Sequence, residues 1–317
     1  MRDTIDLKNR DAMLNVIDTL AGRYLKGKVR AIRLAVIALL SGGHILLEDI
    51  PGLGKTTLAL ALSNTLGLSF GRVQCTSDLL PSDITGLSIF NREENRFKFV
   101  PGPVFNNIVL VDEINRAMPK TQSALLEAME ERRVTVEGVT HPLPEPFLVI
   151  ATQNPAEQVG TYPLPESQMD RFIIRTGVGY PPEEIEKSII MYGSIRGDLR
   201  NITALVTAEE ILEAQRGIRE EVYLSEPVTG YIFSIVAATR NHPLILTGIS
   251  TRGGINLAEA ARVNAYLEGR NYVVPEDVKS MAVPVGAHRL ICRSENESLD
   301  KEELLRSILK NIPVPLV

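Results

Sequence analysis

The sequence is poor in the residues that build disulfide or histidine-metal scaffolds. Two cysteines, Cys75 and Cys292, cannot make a disulfide framework. Four scattered histidines, His44, His141, His242 and His288, show no metal-ligand spacing. Positive charge is also in deficit: the net charge is −5, so no global basic field favours nucleic acid, although a local basic patch remains open. Long apolar runs are missing. Stretches such as "LAVIALL" at 34–40 fall far short of a membrane span. The opening "MRDTIDLKNRDAM" carries charges throughout and no apolar centre, unlike a secretory leader. A cytoplasmic protein in a reducing compartment is the expectation. There is no low-complexity segment or internal repeat. What remains is ordinary globular composition, 44% hydrophobic and 23% charged, over 317 residues. That length suggests two domains.

Strand and helix patterns alternate in the first part of the chain. Apolar positions Val29, Ile32, Val36 and Leu39 have helical spacing, and Gly42 and Gly43 end that helix. "HILLE" reads as a buried strand, "DIPGLG" as a loop and "KTTLALALSNTLG" as a helix. "LSIFNREENRFKFV" (87–100) and "VTVEGVTHPLP" read as hairpins. "NIVLVDE" (107–113) and "PFLVIATQN" read as buried strands ending in polar residues, with the helix "KTQSALLEAMEERR" between them. An α/β three-layer domain with a parallel sheet is expected over 1–181. From "GYPPEEIEK" onward the patterns turn mostly helical, so a smaller α-helical domain is expected over 182–317.

The loop in "LLEDIPGLGKTT" nearly fits the phosphate-binding pattern G-x-x-x-x-G-K-S/T, but Asp49 stands where the first glycine belongs. Taken alone, the stretch is a working site, a decayed one or a chance match. The candidate nucleotide-binding residues are Pro51, Gly52, Leu53, Gly54, Lys55, Thr56 and Thr57. The two glycines would let backbone N–H groups approach phosphate oxygens, Lys55 would reach the β- and γ-phosphates, and Thr56 would offer its hydroxyl to Mg²⁺. A dinucleotide fingerprint fits less well, because it needs glycine at Thr57. Asp112 would hold Mg²⁺ through its water shell, and Glu113 would orient or deprotonate the attacking water. If the two strands are neighbours, Asn154 would sit beside that pair; the plainer alternative is a turn residue before Pro155. Arg171 in "ESQMDRF" and Arg252 in "GISTRGG" could stabilise charge on a transferring phosphate or form surface salt bridges. ATP and Mg²⁺ are the expected ligands.

The stretches "LLPSDITG" (79–86), "FVPGPVF" (99–105), "DEINRAMPKTQSALLEAMEERRVTVEG" (112–138) and "ATQNPAEQVGTYPLPESQMDRF" (151–172) resemble the MoxR family of AAA+ ATPases. They span most of the first domain; the helical remainder resembles the family's lid mainly through "GISTRGG". The resemblance implies an AAA+ P-loop core with hairpin insertions near 87–100 and 133–145, followed by the helical lid. It implies that Asn154 is the first sensor, Arg171 an arginine finger acting on a neighbouring subunit, and Arg252 the second sensor. It further implies a homo-oligomeric ring, usually hexameric, that acts as a chaperone-like remodeller on protein partners, maturing complexes or inserting metal cofactors. A separate protein with a von Willebrand factor A domain is an expected partner. Departures are Asp49, Met118 in place of the commoner "NRAPP", and Thr251 and Gly253 around Arg252.

Two other functions compete. A nucleic-acid motor would use the basic run Arg23, Lys26, Lys28, Arg30 and Arg33, which otherwise reads as a solvated helix face. The hairpin turn "NREENR" is mixed in charge, which disfavours that role. A small P-loop kinase gives no reason for Asn154, Arg171 and a helical lid to occur together. Asp49 is expected to turn its carboxylate from phosphate toward solvent or a nearby backbone N–H, as in an Asx-turn.

Overall fold

The computed structural model describes residues 7–156, 160–193, 199, 202–296 and 299–315. Helices α1 (Leu7–Thr19) and α2 (Val29–Leu40) lead into strand β1 (Ile45–Glu48), the phosphate loop and α3 (Lys55–Thr65). Strand β2 (Phe70–Gln74) and the short α4 (Pro81–Thr85) follow. A hairpin of β3 (Gly86–Asn91) and β4 (Arg96–Pro101) then precedes β5 (Ile108–Asp112) and α5 (Pro119–Glu131). A second hairpin, β6 (Arg133–Val136) and β7 (Val139–Pro142), leads to β8 (Leu148–Gln153), α6 (Glu166–Met169) and β9 (Ile174–Thr176). The remainder comprises α7 (Glu183–Tyr192), α8 (Ala208–Glu221), α9 (Glu226–Arg240), β10 (Ile245–Thr247), α10 (Thr251–Leu267), α11 (Pro275–Gly286), β11 (Ile291–Cys292) and α12 (Lys301–Lys310).

The central sheet has the order β2-β5-β8-β1-β9, with every pairing parallel. β5 and β8 are the continuous apolar runs read from the sequence; β5 is buried throughout, and β8 until Gln153 at its end. One sheet face is covered by the core around Leu125, Leu126, Met129 and Phe172. The opposite core contains α2 and α3 side chains and continues without a break into α8–α12, through residues such as Ile218, Leu257 and Val285.

The N-terminal segment is bound to the later helices, not only to the sheet. Asn9 donates to Glu213, and Arg33 to Asn264 at 3.0 Å and Glu268 at 2.6 Å. Lys28 is buried, with its ammonium on the carbonyl of Gly179. The basic run is therefore not one solvated face: two of its five cations are used inside the fold. The later helical part also contains a small antiparallel pair, β10–β11, which helical periodicity does not anticipate.

Candidate functional site

Parallel strands bring their carboxyl ends to one edge, where open α/β sheets bind ligands. Here the ends of β1, β5 and β8 lie side by side, with Leu110 level with Ile150 and Ile150 level with Ile45. A cleft of about 160 Å³ opens at that edge. It is lined by Pro51, Gly52, Gly54, Lys55, Thr56, Arg72, Gln74, Asp112, Glu113, Thr152 and Asn154. Eight expected site residues, from the loop, the acidic strand end and the next strand end, thus converge on it. Leu53 and Thr57 do not line the cleft; Thr57 is buried at the start of α3.

Gly52 and Gly54 have φ of +90° and +92°. A Cβ at Gly52 would meet nothing within 4 Å, so left-handed backbone geometry, not crowding, calls for glycine there. The turn delivers the chain into α3, whose first residue is Lys55. The Lys55 ammonium donates to the carbonyls of Asp49 and Ile50, at 2.5 and 3.3 Å. Burial lowers its pKa, while the Asp49, Asp112 and Glu113 carboxylates act the other way.

Asp112 is largely buried and paired with Arg72, whose Nη2 lies 2.8 Å from Oδ2. Glu113 occupies the left-handed region at φ 57°, ψ 51°, an uncommon conformation for a side-chain-bearing residue. Its N–H donates to Thr152 Oγ1 at 3.0 Å, and that hydroxyl lies 3.4 Å from Asp112 Oδ1. Gln74 Nε2 and Arg116 Nη1 donate to Glu113 Oε2 at 3.2 and 3.0 Å. Asn154 lines the same cleft while its Oδ1 accepts the Ala156 N–H at 3.1 Å. A turn contact and a place at the cleft are thus compatible for Asn154.

Arg72, Gln74 and Thr152 were not singled out from the sequence. The available signal was alternation in "FGRVQ": Gln74 is level with Asp112, and period 2 puts Arg72 on the same face. Cys75, next in the chain, is buried and its thiol pKa is pushed up to about 12 by burial and by Asp112 and Glu113.

Arg171 and Arg252 lie elsewhere. Both line a second cavity, of about 200 Å³, with Glu130, Arg132 and Asp170. Arg171 Nη2 is 3.2 Å from Glu130 Oε2, and Arg252 Nη2 is 2.5 Å from Glu130 Oε1. Arg171 also donates to the Leu126 carbonyl at 2.6 Å. Glu130, another residue not anticipated, has its pKa lowered chiefly by the bond from Arg252, with Arg171 adding to it.

The sheet order, the glycine loop after β1 and the acidic end of β5 define a P-loop ATPase of the AAA+ kind. The family model for the ATPase family associated with various cellular activities (AAA) matches residues 44–174, and a AAA lid domain matches 237–308. The protein YeaC of Bacillus subtilis is 44% identical over 93% of this chain and 92% of its own length. Chaperone MoxR1 of Mycobacterium tuberculosis is 36% identical over 93% of this chain and 80% of its own. Protein MoxR of Methylorubrum extorquens is 31% identical over 98% of this chain and 99% of its own. A solved Cytophaga hutchinsonii chain, provisionally described as an ATPase, superposes with a TM-score of 0.90 at 39% identity, covering 98% of this chain and 97% of that one. The chain belongs to the MoxR family of AAA+ ATPases.

Proposed function

We propose that the chain is a Mg²⁺-dependent ATPase that works as a ring, of six subunits by family resemblance, and remodels protein partners. The observation that carries this reading is the convergence of the glycine loop, Lys55, Thr56, Asp112, Glu113 and Asn154 on one cleft. The donor set fits the ligands. Positive-φ glycines and a helix N-terminus beside a lysine suit phosphate oxygens. The Thr56 hydroxyl and Asp112 carboxylate are the hard oxygen donors that suit Mg²⁺. Bound there, the ion would neutralise charge on the phosphate oxygens.

Glu113 is the proposed base that orients or accepts a proton from water. Its uncommon backbone conformation is held by Thr152, and its carboxylate is shared with Gln74 and Arg116. Asn154 is proposed to help position that water. Asp112 would help hold the ion, and the Arg72 guanidinium paired with it would orient its carboxylate toward the cleft.

Arg171 and Arg252 line a cavity apart from the cleft of their own subunit. This separation supports an arrangement in which both arginines serve the nucleotide of a neighbouring subunit. Exposed Leu87, Ile89, Phe90 and Phe97 on the β3–β4 hairpin support a protein partner, since exposed apolar groups of this kind suit protein surfaces. A separate protein carrying a von Willebrand factor A domain is the proposed co-worker. Replacing Glu113 with Gln should retain ATP binding and lower turnover at least about a hundredfold. Unchanged turnover would remove Glu113 from the reaction.

A further inference from the structure

Asp49 is the residue that breaks the phosphate-loop pattern, and its three polar groups reach three different parts of the molecule. Its N–H donates to the Gln153 carbonyl at the end of β8, at 3.3 Å. Its carbonyl accepts from the Lys55 ammonium at 2.5 Å. Its carboxylate Oδ2 accepts two successive backbone N–H groups, from Val178 and, at 3.0 Å, from Gly179. Those amides are 129 and 130 residues away, so the bonds are not the local Asx-turn expected from the sequence.

Val178 and Gly179 lie in the segment joining β9, the last sheet strand, to α7, the first helix after the core. The segment is gripped from both sides. The buried Lys28 ammonium donates to the Gly179 carbonyl. A Cβ at Gly177 would lie 3.0–3.2 Å from the Asp49 carboxylate oxygens, so the absence of a side chain there permits the close approach. Further along, Pro182 packs so tightly on Gly27 that a Cβ there would come within 2.2 Å of its ring.

We propose that Asp49 is a positioning residue that latches the core-to-lid linker to the phosphate loop. A glycine at this position could supply the loop turn but could not hold the linker. An ionised carboxylate accepting two amides is a strong local restraint, because charge-assisted hydrogen bonds are about twice as strong as neutral ones. The same residue holds the resting position of Lys55, the loop's cation. A shift of Lys55 away from the Asp49 carbonyl is therefore felt at the residue that grips the linker. The inference rests on the proposed nucleotide role of the loop for its catalytic consequence, but not for the latch itself.

The test uses the full chain with Asp49→Gly and Asp49→Asn. Amide hydrogen exchange without nucleotide is read first. In Asp49→Gly, exchange at Val178 and Gly179 should accelerate about tenfold or more, while the amides of β5 and β8 keep their protection. Asp49→Asn retains an acceptor oxygen and should restore part of that protection. Steady-state ATP turnover is read second. Asp49→Gly should lower kcat about fivefold with KM changed less than threefold, and Asn should recover part of kcat. Equal protection at 178–179 in wild type and Asp49→Gly would overturn the latch. A uniform loss of protection in both variants would also overturn it, since the role would then be general stability. If the exchange result holds but the chain hydrolyses no ATP, the latch stands and the proposed reaction fails.

Discussion

His44 is fixed in one protonation state by its own hydrogen bonds. Nδ1 accepts the Val149 N–H at 3.0 Å, which leaves Nε2 to donate to the Met129 carbonyl at 3.2 Å. Burial, and then the nearby Arg132 charge, push its pKa down to about 3. An unfolded histidine titrates near about 6.5. Between those values the unfolded chain binds the extra proton, so the stabilising contribution is complete above about 6.5 and is lost as pH falls toward 3. From pH 7 to 5 this one residue should cost about 2 kcal/mol. Urea melts of wild type and His44→Gln at the two pH values check it: the variant's loss should be smaller by about that amount. Equal losses would assign the sensitivity to other groups. The residues that converge on the cleft were legible for a related reason. Lys55, Thr56, Asp112 and Glu113 sit at fixed offsets from strand ends, and a parallel sheet gathers those ends at one edge. Glu130 carried no such signal. Its pairing with Arg171 and Arg252 joins α5 to two segments distant in sequence, and neither spacing nor residue type encodes that meeting.

At the scale of elements, glycine marks where the two strands of the β3–β4 hairpin close at their base. Gly86 has φ +89°, and a Cβ there would lie 2.3 Å from the Val100 carbonyl oxygen. Gly138, in the β6–β7 turn, has a similar φ of +82° but open space around it. Thermal unfolding should separate backbone strain from crowding. Gly138→Ala should cost about 1 kcal/mol from conformation alone, and Gly86→Ala about 2–4 kcal/mol with the clash added. Equal costs would mean that the hairpin base relaxes freely. Both hairpins were visible in the sequence because alternating residues flank short polar or glycine turns; the first runs from Gly86 to Pro101, close to the 87–100 read beforehand. Strand β2 was missed. It is a five-residue edge strand containing Gly71, and that glycine is required because a Cβ would fall 2.4 Å from the Pro103 carbonyl oxygen. The N-terminal helices were read as part of the sheet domain from the alternation of helix and strand patterns, and α2 does pack in the core beside the sheet. Their polar contacts to Glu213, Asn264 and Glu268 are long-range, and amphipathic spacing does not identify a partner.

For the whole molecule, the decisive relation is between the two arginines and the cleft. Among the described residues that line it, the cleft has Lys55 and Arg72 as cations, and Arg72 is paired with Asp112. The charge that builds on a transferring phosphate calls for a further cation. Arg171 and Arg252 share one carboxylate, Glu130, so their combined charge is only partly balanced. A ring built by head-to-tail contacts would bring one subunit's pair to the next subunit's cleft. Arg171→Ala should then lower turnover about a thousandfold, yet its cleft remains whole. A Glu113→Gln subunit has the reverse defect, with intact arginines beside a disabled base. Mixing the two variants after dissociation and reassembly should create interfaces in which the intact cleft meets the intact arginine. With random equal mixing, roughly a quarter of the interfaces of a head-to-tail ring are of that kind, and turnover should rise well above either parent. Repeating the mixture with Arg252→Ala asks whether the lid arginine acts across the same boundary. Recovery with both variants supports joint action on the neighbour. Recovery with Arg171→Ala alone would return Arg252 to its own subunit, and no recovery in rings verified as mixed would remove the trans arrangement altogether.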